Sequence, residues 1–193
     1  MPNINVNSDI ITVIKVDFIF EVKYSPNDII IGVGERLFNP VCRGIVSFET
    51  SLIPNDAKIS DVSFEIEVIH PYQINKSVDI VNIDEYLIEK IQQEKVNSKI
   101  DSEKFFKMIE EQRSNGNLIS NITTPFLSTG IKTLNINSCS KDLEENLKTD
   151  LFALGFICSD ENSESENYLE MCNSKLIVKY SLPDKSQHLI KIE

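Results

Sequence analysis

Four cysteines, two histidines and a surplus of carboxylates are what this 193-residue chain offers for chemistry. His70 stands before Pro71, and His188 lies in a polar stretch near the C-terminus. Acid–base or triad chemistry normally leans on a histidine held by neighbours. These two read instead as a strand-end and a surface residue. Cys42, Cys139, Cys158 and Cys172 are dispersed, with no CxxC pair and no zinc-ligand spacing. They fit buried thiols, since cysteine packs like a small hydrophobe. Cys139 and Cys172 border polar segments and are the candidates for crosslinks between molecules. Three intramolecular pairings also stay open.

Asp160, Glu161 and Glu164 open an acidic stretch rich in oxygen ligands. Calcium favours carboxylates and carbonyls, so a structural calcium site is one expectation, although the EF-hand spacing and its glycine are absent. The other is a solvated acidic loop. Glu65 with Glu67, and Glu144 with Glu145, are carboxylate pairs of the kind glycosidases use. Glu65 and Glu67, however, share the outward side of one strand, where charge belongs anyway. Gly32-Val33-Gly34 lacks the remaining glycine and the helix of a phosphate loop. With no tryptophan, sugar stacking falls to tyrosine. Tyr72, Tyr86 and Tyr168 sit at loops or strand ends, and Tyr72 and Tyr168 are the ligand-binding candidates. Tyr24, Phe48, Phe64, Phe152 and Phe156 fall on inward periods and read as core. No catalytic set emerges, so the chain reads as a non-enzyme.

The elements that would carry these residues are mostly strands. Ile10 to Tyr24 alternates apolar with polar, which puts one side of a strand in a core and the other in water. Its length implies a bulge or break near Asp17. Ser25-Pro26-Asn27-Asp28 has turn chemistry. Further strands are expected at 29–31, 43–49, 59–68, 130–136, 152–157 and 176–180, with His70-Pro71 closing the one at 59–68. Residues 84–96 and 101–113 carry helical stripes: Leu87, Ile88 and Ile91, then Phe105, Met108 and Ile109. A helical insertion or a charged excursion from the sheet over about 84–117 follows, with a strand plus a loop over part of it as the other option. Leu143 and Leu147 share one side of a short helix over 140–148. Residues 184–193 form a polar tail ordered by Leu189 and Ile190. The whole, 1–193, reads as one β-sandwich domain.

A net charge of −11 opposes binding to a phosphate backbone, so no nucleic-acid partner is expected. No apolar run is long enough to span a membrane, and the N-terminus shows no secretory signal.

Arg43-Gly44-Ile45-Val46-Ser47-Phe48-Glu49, followed by Leu52-Ile53-Pro54, Ala57 and Ile59, resembles the core of DNRLRE-type domains. Ser25-Pro26-Asn27 with Ile31-Gly32 resembles that family's upstream turn and strand. Phe152-Ala153-Leu154-Gly155-Phe156, a polar loop and Leu176-Ile177-Val178-Lys179-Tyr180 resemble its close. The resemblance spans the chain apart from residues 1–15 and about 84–125. It implies a jelly-roll β-sandwich, related in shape to carbohydrate-binding modules and growth-factor propeptide sandwiches. It also implies a place on a cell surface or outside the cell. The resulting expectation is a non-catalytic structural or adhesive surface protein that contacts copies of itself or other surface proteins. The alternative is a glycan-binding module, calcium-stabilised in one version.

Overall fold

The computed structural model describes residues 9–16, 19–24, 28–33, 41–72, 78–83, 89, 102–115, 118–122, 128–136, 141–158, 161, 167–183 and 187–192. In chain order they form β1 (Asp9–Val16), β2 (Ile19–Tyr24), β3 (Asp28–Val33), β4 (Val41–Glu49), β5 (Lys58–Tyr72), β6 (Val78–Ile83), α1 (Ser102–Ser114), β7 (Leu118–Ile122), β8 (Gly130–Asn135), α2 (Lys141–Asn146), β9 (Leu151–Cys158), β10 (Asn167–Ser181) and β11 (Gln187–Ile192). Two antiparallel sheets pack as a sandwich, with strands β7-β6-β9-β4 in one layer and β10-β5-β8 in the other. β1 extends β4 and carries β2; β11 lies along β10. The sheets join at a corner where β3 meets β4 through two pairs, Gly32↔Cys42 and Val33↔Val41, and then runs along β10.

Alternation builds the core. Val46, Phe48, Phe152, Leu154 and Phe156 point from β4 and β9 toward Val62, Phe64, Ile66 and Val68 of β5. The Phe64 ring is 6.2 Å from Phe48 and 5.5 Å from Phe156, centroid to centroid, so one aromatic cluster bridges the layers. The other side of β4, β6 and β9 is also apolar. Ile45, Val81, Ile83, Ala153 and Ile157 bury against Phe106, Met108 and Ile109 of α1. Helix α1 therefore makes a third layer, and β4 and β9 read as nearly continuous apolar runs because both their sides are covered. The outer side of β10-β5-β8 has no such cover among the described residues: Glu65 and Glu67 are half-buried, and Ile131, Thr133 and Lys179 are exposed.

Several sequence expectations hold. Phe48, Phe64, Phe152 and Phe156 are buried, as are Leu143 and Leu147 beside α2 and Met108 and Ile109 on α1. Other expectations change. The break expected near Asp17 holds, since β1 ends at Val16 and β2 begins at Ile19, but the two halves pair as a hairpin, with Val16 opposite Ile19 and Ile11 opposite Tyr24. Paired positions share a side of the sheet. Even positions of β1 therefore lie with odd positions of β2, and the period-two pattern reverses between the two strands. His70-Pro71 does not close β5, since Pro71 still pairs with Leu169 and Tyr72 with Tyr168. Proline is tolerated there because the β8 ladder on the other side stops at Val68↔Gly130. The polar tail is strand β11, and Ile192, fully buried, anchors it. Of the helix expected over 84–96 only residue 89 is described, and it is helical; Tyr86 and Cys139 fall outside the described residues.

Candidate functional site

Two features of the described residues stand apart from ordinary core and surface. The first is a buried ion network under α1. Arg43 sits in mid-strand between Cys42 and Gly44 on β4 and is 5% exposed. A guanidinium so buried must be paired and hydrogen-bonded. Its Nε and Nη2 donate to the two carboxylate oxygens of Glu161, at 2.8 and 2.6 Å. Its Nη1 donates to the Phe106 carbonyl of α1, and the guanidinium lies 3.8 Å over the Phe106 ring. Nη2 also reaches Glu110 at 3.1 Å. Glu110 takes a second bond from Arg113, which donates in turn to Asp79 of β6 at 3.2 Å. Burial works against the charged guanidinium of Arg113. The hydrogen bonds and attraction of Glu110 and Asp79 outweigh it, so its pKa is raised. Because the group is held charged in the fold, its stabilisation is full below its unfolded pKa and fades only as pH rises through the higher folded value. Two arginines and three carboxylates thus tie β4, β6, α1 and the start of the acidic stretch together.

The second feature is the outer edge of β8. Among the described residues β8 pairs with β5 alone. The Ile136 amide donates to the Val62 carbonyl at 3.0 Å, which makes that pair hydrogen-bonded. Pairs in an antiparallel ladder alternate, so Lys132 and Leu134 bond to β5, and the backbone groups of Ile131 and Thr133 turn outward. Ile131, 67% exposed, is the most exposed large apolar side chain among the described residues. A lysine usually guards such an edge. Lys132 is the one charged residue of β8, and it folds back to donate to Ser128 Oγ at 2.8 Å and the Thr129 carbonyl at 3.2 Å.

The candidates read from sequence fall in several places. Tyr72 and Tyr168 meet as direct partners across β5 and β10, with Gly32 of β3 on the far side of Tyr168. Glu161 gives both its oxygens to Arg43, so a calcium ion there would have to displace a guanidinium; Asp160 and Glu164 lie outside the described residues. Cys172 is buried, its sulfur 3.7 Å from Glu67 Oε2. An intermolecular crosslink through it would require that part of β10 to open. Glu67 also accepts from Asn173 at 2.7 Å, where a bulge puts Asn173 at φ 51°. His188 stacks on Tyr180 with ring centroids 5.4 Å apart. Arg43 was missed as a site residue. The available signal was an arginine inside an otherwise apolar strand, which has to find carboxylates.

No protein-family description matches this chain, and no curated protein matches it. No helix among the described residues is long and apolar enough to cross a membrane.

Proposed function

We propose that the chain is a non-catalytic structural or adhesive module that acts through protein–protein contact, including contact with its own copies. The observation that carries this is the edge of β8, where outward backbone groups, an exposed Ile131 and a retracted Lys132 coincide. Such an edge is a template for an added strand. The resemblance to DNRLRE-type domains supports a place at the cell surface. Light scattering on the full chain, with and without reductant, tests the reading. Concentration-dependent association that survives reductant and is weakened by Ile131→Lys is expected. A strict monomer would overturn it.

A second reading, glycan binding, is favoured by one observation: Tyr72 and Tyr168, distant in sequence, occupy paired positions on neighbouring strands. Paired positions share one side of a sheet, and tyrosine is a residue type that stacks on a pyranose. Under this reading Tyr72→Ala or Tyr168→Ala abolishes retention on a glycan array while leaving the melting temperature near wild type. Retention by both variants would count against it.

A further inference from the structure

We propose that β8 pairs with the β8 of a second copy, antiparallel and edge to edge, across a two-fold axis at Thr133. The inference rests on the self-assembly reading above and supplies the partner and the register.

Three constraints lead there. The first is the pleat. Leu134 is 4% exposed and faces the core, whereas Ile131 faces solvent. A two-fold axis perpendicular to the sheet keeps core side with core side. Partners on one side of a sheet must then share odd or even parity, so the axis passes through a residue and not between two.

The second is length. The strand runs from Gly130 to Asn135, so only Lys132 and Thr133 lie near its centre.

The third is bonding and charge. An axis at Lys132 opposes like charges directly, which destabilises a cross-strand pair. It also leaves Thr133 facing Ile131 and finds no partner within the strand for Asn135. An axis at Thr133 sets Thr133 against Thr133 of the copy and Ile131 against Asn135. Lys132 then falls opposite Leu134. Thr133 belongs to the outward-facing set, so the central pair exchanges two N–H···O=C bonds. Threonine opposite threonine is itself a favourable cross-strand pair. The exposed Ile131 gains cover from the neighbouring strand.

The inference is tested on the full-length chain by sedimentation over a wide range of concentration. Wild type should form a reversible dimer. Thr133→Pro should weaken it about tenfold or more, since both central bonds vanish and the ring blocks the edge. The Thr133 amide takes no part in pairing with β5, and proline is accepted on strand edges with the N–H side outward. The variant should therefore keep a wild-type circular dichroism spectrum.

A second variant guards against misfolding. Thr133→Cys places two sulfurs at the axis, where hydrogen-bonded partners have Cα atoms about 5.5 Å apart, within disulfide reach. Mild oxidation should give a covalent dimer that oxidised wild type does not. A wild-type dimer unaffected by Thr133→Pro and not trapped by Thr133→Cys would overturn the β8 register and leave self-assembly standing through another surface. A wild type monomeric at every concentration would overturn both.

Discussion

Arg43 and Glu161, 118 positions apart, form a two-point ion pair in which Nε and Nη2 of the arginine meet Oε1 and Oε2 of the glutamate. The planar fork of a guanidinium matches a carboxylate in this way, and lysine cannot reproduce it. Because Arg43 also holds the Phe106 carbonyl and Glu110, it fixes α1 and the acidic stretch to the same strand.

Removing one partner of such a pair should cost more than removing both. Arg43→Ala strands Glu161, whose side chain is 17% exposed, and opens space beneath Phe106. A loss of about 2–4 kcal/mol is expected, discounted for the partial exposure of the carboxylates. Arg43→Lys should recover only part of it. In urea denaturation the double variant Arg43→Met with Glu161→Gln should be more stable than the sum of the single losses predicts. Additive losses would show that the two side chains are energetically independent.

Gly155 should resist enlargement for a different reason. It pairs with Ile45 on β4, directly under α1. A Cβ at this position would stand 2.7 Å from Ile83 Cδ1, 2.9 Å from Val81 Cγ2 and 3.3 Å from Ile109 Cγ2. All three neighbours are buried, so none can swing into solvent. Gly155→Ala should be mildly destabilising, and Gly155→Val should cost about 1–3 kcal/mol by overpacking. Thermal denaturation checks the order. A valine variant as stable as wild type would mean that α1 can lift from the sheet without penalty.

Sequence periodicity revealed the sandwich because burial on one side of a strand leaves a period of two, and β5 shows it cleanly from Val62 to Val68. It marked the break near Asp17 but misled on the sides of β1 and β2, since their antiparallel pairing reverses parity without interrupting the alternation. It cut β5 at Pro71 because a missing amide looks like a stop. On a strand side with no neighbour among the described residues, that amide has no bond to lose. The ion network was hidden for another reason. Arg43, Asp79, Glu110 and Glu161 lie on separate elements, and only the packing of α1 on β4 and β6 brings them together. The pairing of Tyr72 with Tyr168 was equally out of reach, because it depends on the register of two 15-residue strands and on bulges within them.

Thiol chemistry separates the crosslinking expectation from the packing one. Cys42, Cys158 and Cys172 are 6%, 1% and 8% exposed, and none of them is in a disulfide. Burial away from water keeps the reagent from the sulfurs. A native sample treated briefly with an alkylating reagent should therefore leave these three unlabelled. Peptide mapping would locate any fast modification, and in denaturant all three should react together with Cys139. The Cys172 sulfur lies 3.7 Å from Glu67 Oε2, and Asn173 donates to the same oxygen at 2.7 Å, so Glu67 helps to close this part of β10. Glu67→Ala should therefore raise the Cys172 labelling rate modestly by improving reagent access, and leave Cys42 and Cys158 unchanged. Labelling of Cys172 in the native chain as fast as in denaturant would mean that β10 opens at its bulge, and would return this cysteine to the crosslinking candidates.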